Sequence, residues 1–567
     1  MKSVEVLEQA ELTHIDIDGY ISTFHNPANV NERQWASEEI AKIIPGKITL
    51  SSIIEKFSSE VPKLQRFLLK SIARSKEVEA IDCLVGALFS PDDETRWLAA
   101  FYLHDRHMNE EQKTAAETYI KKHFRREKVM YLMTCICLLK NPCFAGSKYR
   151  KEIINNLSEL DLPLQCVVLS QFPSWLDQKE GKQKLLAMAS HDHPAIRETV
   201  IDTLQKYGLE KAVLQTFEHD PDTQISRKAK RILGKDISVA VPSFEKEKIM
   251  GAIFGAAVGD AVGAPIEFLS REEVQRIYGE EIKHFLKAEK YNQKLRLTVG
   301  HITDDSTMGL SFLQSYVENG FLDMSAVGRI WGEEARKIDG GESPNIGFAG
   351  RSLWDMRKLY LGCNWRVSGH GSASGCGAAM RAFALPFISP SSELVQNTED
   401  SAIMTHNSPR GIASALVVVE AIKYLLQQTK LEPSTFLDHI TKKIEKLDPE
   451  LADKLRKLNE YLELPTLQGL NVIGTRGEAI DTVPAALYCF LKSPQNFVST
   501  LQSAINVDGD SDSIGSIACV LSGAYNGVQA IPNHILEGLY VRNDIDTLLK
   551  KYFRSTMGNI LTGNNKS

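Results

Sequence analysis

Thr303-Asp304-Asp305-Ser306-Thr307-Met308 sets two adjacent carboxylates between hydroxyls, just before a run with helical apolar spacing at Met308, Leu310, Phe312, Leu313 and Tyr316. A second acidic cluster, Asp508-Gly509-Asp510-Ser511-Asp512-Ser513-Ile514-Gly515, opens another helical run far downstream. A single aspartate at a helix start is explained as a cap that favours the positive end of the helix dipole. That accounts for Asp304 but not for its neighbour, nor for a matching cluster elsewhere. Charge of this density is costly to gather without a cation, so the two clusters are expected to converge on two divalent metal ions. An EF-hand calcium loop starting at Asp508 fails, because its sixth position is Ser513 rather than glycine and its twelfth is Cys519 rather than glutamate.

The segments around these clusters read as tightly packed helices. Gly251, Gly255, Gly259 and Gly263 recur every four residues and share roughly one helix face. Each costs about 1 kcal/mol of helix stability against alanine, so the stripe implies close approach of backbones. The expectation is a central helix over Ile249 to Ala261, ended by a loop from Asp260 to Pro265 that delivers Glu267. After Asp512, the small residues Gly515, Ser516, Ala518, Gly523 and Ala524 predict a second helix suited to close packing. Two glycine-rich loops, Gly340 to Gly350 and Gly369 to Arg381, carry backbone amides of the kind that cradle phosphates. Thr405-His406 precedes an apolar helix, Ala413 to Leu426. Gln427 to Asn471 reads as charged, peripheral helices, and Ala485 to Leu491 as a buried one.

Residues up to about Lys235 also read as successive helices, so the fold class is all-α throughout. Three segments share a local pattern: Ser90-Pro91-Asp92 to Arg96, His191-Asp192-His193-Pro194 to Arg197, and His219-Asp220-Pro221-Asp222 to Arg227. Each joins an Asp/Pro turn to a helix start with a basic residue soon after. This looks like the turn of HEAT-type helical repeats, with an irregular helical domain as the alternative. Residues 1–240 are accordingly expected to be a protein-binding helical domain, 246–555 a separate catalytic domain, and 556–567 a flexible tail. Pro242 marks the junction.

The chain has 567 residues, 43% hydrophobic and 24% charged, with a formal net charge of -6. These values describe an ordinary globular protein of more than one domain. They carry no basic excess for nucleic acid and no basic block for a membrane surface. Nine scattered cysteines, an odd number without a CxxC pair, predict reduced thiols in a cytoplasmic protein rather than disulfides or a zinc site. Cys135 and Cys137 are expected to be small core residues. The start, Met1 to Leu12, lacks the basic and apolar regions of a signal peptide, which leaves secretion by a dedicated system open.

Taken in order, the C-terminal motifs resemble those of the ADP-ribosylglycohydrolase family. Gly259-Asp260-Ala261-Val262-Gly263-Ala264-Pro265-Ile266-Glu267 is similar to its opening motif, and Thr303 to Met308 to its first metal motif. Gly375-Cys376-Gly377-Ala378-Ala379-Met380-Arg381, Thr405-His406 and Asp510 to Gly515 resemble three more. The resemblance spans roughly Lys246 to Phe553. It implies an all-α catalytic domain with a binuclear Mg2+ or Mn2+ centre, whose ligands would be Thr303, Asp304, Asp305, Asp510, Asp512 and Ser513. Glu267 would stand near the scissile bond and, with Asp304 and Asp305, form the catalytic set. Gly347, Gly375, Gly377, Ala378, Ala379 and His406 would surround ADP-ribose. Cys376 replaces an asparagine usual in the family, and Ser513 a threonine whose hydroxyl it keeps. The implied activity is removal of ADP-ribose from a modified protein, with arginine the favoured acceptor and serine- or ester-linked ADP-ribose the alternative. A non-catalytic ADP-ribose-binding and protein-interaction module is the reading from another class. The expected partners are ADP-ribose and an ADP-ribosylated protein recruited by the N-terminal helices.

Overall fold

The computed structural model describes residues 17–27, most of 33–45, 47–123, 153–171, 178–207, 211–279 apart from 236 and 238, 281–288, 297–343 and 350–563. Gly347 and the Cys135–Cys137 run fall outside the described residues. Two compact units divide the chain: residues 1–134 with 141–144, and 135–140 with 145–567.

The first unit contains helices Lys47–Ser59, Pro62–Arg74, Val78–Ala87, Asp93–His104 and Glu110–His123. Pro62–Arg74 buries Leu64, Leu68, Leu69 and Ile72 on one face, the spacing of an amphipathic helix. The turn before Asp93–His104 is closed by its own residues. The Asp92 carboxylate accepts from Thr95 N, and Arg96 reaches back to the Ser90 and Pro91 carbonyls at 2.7 and 3.0 Å.

The second unit repeats that device. Arg197 donates to the His191 and Asp192 carbonyls at 2.9 and 2.8 Å and makes a forked pair with Asp220. Asp222 caps the Thr223–Ile232 helix through Gln224 N and Ile225 N. Helices from Leu162–Leu169 to Thr223–Ile232 thus belong to the same compact unit as the C-terminal helices. Among the described residues there are helices and two isolated bridges, His370 to His406 and Gly375 to Glu478, but no strand.

Two helices at the centre of this unit, Lys246–Gly263 and Ser511–Asn526, run antiparallel with their small residues interlocked. A Cβ built on Gly251 would collide with Gly523, on Gly255 with Cys519, on Gly259 with Gly515, and on Gly263 with Ser511, in each case against backbone. That is the physical reason for the glycine stripe: side chains larger than hydrogen would force the two backbones apart. The helix also continues further than expected. Asp260 lies inside Lys246–Gly263 rather than in a loop, because Gly263 keeps the close contact going. A short 3-10 turn, Ala264–Ile266, then leads to Glu267. By length and hydropathy Lys246–Ile266 could cross a membrane, but 94% of its apolar window is buried inside the protein, as befits a core helix. The last helix, Arg542–Gly563, extends into the segment expected as a tail.

Candidate functional site

Antiparallel pairing sets the C-terminal end of the glycine helix against the N-terminal start of Ser511–Asn526. Asp260, at 0% exposure, faces a third helix start, Asp304–Asn319. Its carboxylate accepts from Thr303 N at 3.1 and 3.0 Å, Thr303 Oγ1 at 2.8 Å and Ser306 N at 3.1 Å. Thr303 does not cap its own helix with its side chain, so the cap comes from Asp260, far away in sequence. This anchors the first acidic cluster to the helix that already holds the second. Sequence reasoning does not place Asp260 among the site residues. The available signal is a charged residue beside Gly259 in an otherwise apolar helix, where burial without a partner is expensive.

The two acidic clusters meet. Carboxylate oxygens of Asp260, Asp305 and Asp512 lie within 4.8 Å of one another, as do those of Glu267, Asp510 and Asp512. Asp512 belongs to both groups and joins them. Asp304 begins its helix beside them, and its charge contributes to the field on Asp305. Burial, then the charges of Asp512, Asp260, Asp304 and Asp510, push the Asp305 carboxyl well above the usual carboxylate range. Asp510 is pushed up to about 7, by burial first and by Asp512 next. Asp305 Oδ1 is buried and has no hydrogen-bond partner. A buried oxygen left unpaired inside a field of like charges is the position a hard cation would fill. The donors are oxygens throughout, which suits Mg2+ or Mn2+ over softer metals.

Neighbouring groups hold the second cluster in place. Asp510 N donates to Thr475 O at 2.8 Å, and Thr482 Oγ1 donates to Asp510 Oδ2 at 3.2 Å. The Cys376 thiol donates to the same oxygen at 3.1 Å and lies 3.5 Å from Ser513 Oγ. Ser513 N donates to Asp512 Oδ1 at 3.0 Å. Beside Glu267, Phe268 adopts φ 57°, a left-handed conformation unusual for a bulky residue. Its N–H donates to Gly509 O at 2.7 Å, tying the Glu267 segment to the second acidic cluster. Strain of this kind costs of order 1–3 kcal/mol and gathers at working sites.

The glycine-rich loop lies against the same cluster. Cys376 N donates to Gly477 O at 3.1 Å and Ala479 N to Ser374 O at 3.0 Å, which registers the Gly375 segment on a second loop. Gly377 opens a short buried helix, Gly377–Met380, that includes Ala378 and Ala379. A Cβ on Gly377 would lie 2.5 Å from His406 Cε1 and 3.0 Å from Ser352 Oγ, so the loop and the histidine pack too closely for any side chain. His406 is buried, with Nδ1 2.7 Å from Thr405 Oγ1. Burial, then the charges of Arg381 and Arg351, hold it well below its ordinary pKa, so the ring is neutral near pH 7. Arg381, fully buried, donates to Gly377 O at 2.6 Å and Ser401 O at 2.8 Å and lies 4.9 Å from the Trp331 ring centroid. It ties the loop to its surroundings, a role that its place in the quoted motif does not reveal.

Comparison with known proteins places this geometry in a family. The chain is 25% identical to the ADP-ribosylhydrolase ARH3 of Xenopus tropicalis, over 50% of this chain and 89% of that protein. It is 27% identical to the ADP-ribosyl-[dinitrogen reductase] glycohydrolase of Rhodospirillum rubrum, over 53% and 96%. It is 24% identical to the ADP-ribosylarginine hydrolase Tri1 of Serratia proteamaculans, over 55% and 81%. The ADP-ribosylglycohydrolase family profile matches residues 242–560, more than half of the chain and all of the acidic and glycine-rich site. With the profile and the converging carboxylates in agreement, the chain belongs to the ADP-ribosylglycohydrolase family.

Proposed function

We propose that the protein is a metal-dependent hydrolase that removes ADP-ribose from a modified protein, with arginine the favoured acceptor. The observation that carries this reading is the meeting of Asp305, Asp510 and Asp512 around an unpaired buried oxygen, beside the Gly375–Ala379 loop. The arginine preference draws on the relatives named for ADP-ribosylarginine and for dinitrogen reductase.

Asp304, Asp305, Asp510 and Asp512, with the hydroxyls of Thr303 and Ser513, would hold two Mg2+ or Mn2+ ions. Such ions, when bound, lower the pKa of water and orient sugar hydroxyls. The protein's own groups supply the rest. A water oxygen forms the new bond to the anomeric carbon of the ribose as the bond to the acceptor breaks, through an oxocarbenium-like transition state. Asp304 or Asp305 takes the water's proton, and Glu267 polarises the leaving bond. Backbone amides of Gly377 and Ala378, at the start of the short helix Gly377–Met380, would face the diphosphate, and neutral His406 would pack beside the ribose.

Release of free ADP-ribose from modified protein, with and without Mg2+, tests the reading. Turnover that survives Asp304→Ala combined with Asp305→Ala would refute it. The reading extends to a cytoplasmic enzyme whose N-terminal helices recruit the modified protein through a HEAT-like surface. Support comes from the Ser90–Arg96 turn of the first unit and from six unpaired cysteines among the described residues. Removing residues 1–134 should then impair cleavage of a folded target more than of a small ADP-ribosylated compound; equal losses would contradict recruitment.

A further inference from the structure

Glu198 lies in the helix Pro194–Lys206, outside the region matched to the family. Its carboxylate is nevertheless among the most enclosed in the protein, at 1% exposure. Four donors reach it from three separate elements: Lys228 Nζ at 2.9 Å, Ser325 Oγ at 2.7 Å, and Asn364 Nδ2 at 3.3 Å and Arg366 Nε at 3.1 Å from one short turn. Burial alone would raise this carboxyl, but Lys228 and Arg366 overcome burial and hold it below its ordinary range. The other arm of Arg366 pairs with Asp222 at 2.9 Å, and its guanidinium lies 4.1 Å from the Trp365 ring centroid. Arg366 is therefore gripped by two residues from the Asp/Pro-turn helices.

Immediately after Arg366 the chain enters the site. Ser368 Oγ donates to Met404 O at 2.8 Å, and Lys358 Nζ to Ser368 O at 3.1 Å. His370 N then donates to Thr405 O, and Asn407 N returns a bond to His370 O. This pairing holds the glycine-rich loop alongside Thr405-His406, and Gly377 closes against the His406 ring. A fixed Arg366 thus sets the start of a loop whose far end touches Asp510 through Cys376.

We propose that Glu198 is a positioning residue for the ADP-ribose site, acting through Arg366 and Asn364 to set the Ser368–Gly377 loop against His406. The helices from Pro194 to Ile232 are on this account part of the working site rather than a detachable recruiting arm. The inference rests on the ADP-ribose reading above and adds to it a residue beyond the matched region.

The test uses full-length Glu198→Gln, Glu198→Asp and Arg366→Lys. Calorimetry would measure free ADP-ribose and Mg2+ binding separately, with turnover on a modified protein recorded alongside. Glutamine cannot satisfy Lys228 and Arg366 together, so Glu198→Gln should weaken ADP-ribose binding about tenfold, equivalent to about 1.4 kcal/mol. KM should rise more than kcat falls. Mg2+ affinity should stay within about twofold, since its ligands stand on other elements, and Glu198→Asp should recover part of the loss. Arg366→Lys keeps the charge but loses the fork; it should behave like Glu198→Gln and decides the matter if that variant does not fold. Folded variants with unchanged ADP-ribose affinity would overturn the positioning role while leaving the hydrolase reading intact. A wild-type protein that binds no ADP-ribose would instead remove the functional reading, and this inference with it.

Discussion

Gly515→Ala probes the helix pair on which the site depends. A Cβ at this position would lie 2.6 Å from Gly259 O, 3.0 Å from Ile505 Cγ2 and 3.1 Å from Gly259 C. Ordinary contact begins near 3.4 Å, so the backbones must separate by about 0.8 Å, and a carbonyl inside a helix cannot swing aside. Overpacking of this kind costs about 1–3 kcal/mol. A radial gap of about 0.5–1 Å also forfeits a quarter to a half of the dispersion attraction along the flanking contacts. Against this stands about 1 kcal/mol of improved helix propensity. The net expectation is a loss of about 2 kcal/mol, roughly thirtyfold in the folding equilibrium. Gly328→Ala is the matched control. It is also a helix-interior glycine, but its new Cβ would meet nothing closer than Leu359 Cδ2 at 3.5 Å and Met404 Cε at 3.8 Å. It should stabilise by about 0.5–1 kcal/mol. Urea unfolding of the two variants beside wild type gives the comparison. Gly515→Ala should also weaken Mg2+ binding, because it moves Asp512 away from Asp260. A Gly515→Ala protein as stable as the Gly328→Ala protein would refute this explanation of the stripe.

Asp260→Ala strips the acceptor from two buried amides, Thr303 N and Ser306 N. It should cost about 2 kcal/mol in the presence of Mg2+ and lower metal affinity at least about tenfold; unchanged metal binding would show that the cross-helix cap is dispensable. Gly377→Ala should weaken ADP-ribose binding through the clash with His406 while leaving Mg2+ affinity intact, as calorimetry would show. The pH dependence comes from Asp510, pushed up to about 7, and from the raised Asp305. An unfolded aspartate titrates near about 3.9, so in the metal-free folded state Asp510 keeps its proton between about pH 4 and 7, with Asp305 raised in the same direction. The stability linked to Asp510 is fully present below about pH 4 and is lost as pH rises through about 7. Mg2+ should therefore raise Tm more at about pH 8 than at about pH 5, and equal shifts at both would contradict the cluster electrostatics.

The all-α class and the convergence of the acidic segments are legible from periodicity and charge. Four glycines at four-residue spacing have no local benefit, so they announce a backbone contact; the small residues after Asp512 supply its partner. Register is not legible. Nothing local in Gly259-Asp260 says that the carboxylate points at Thr303, because that depends on how two helices far apart in sequence meet a third. The grouping of the Asp/Pro-turn helices is hidden for a similar reason. Pro242 reads as a junction, yet Glu198 and Lys228 are buried charges whose partners, Ser325, Asn364, Arg366 and Asp323, lie beyond it. Charged residues on the inward face of an amphipathic helix are the available clue, since such charges are almost never buried unpaired.

The most direct measurement is a calorimetric titration of the metal-free protein with Mg2+ or Mn2+, repeated on Asp305→Asn and Asp512→Asn. Two bound ions are predicted for the wild type, with loss of binding at one or both positions in each variant. Asp512→Asn should be the more damaging, because its carboxylate joins the two groups. Binding in both variants that matches the wild type, or no binding at all, would contradict a metal centre built on these carboxylates.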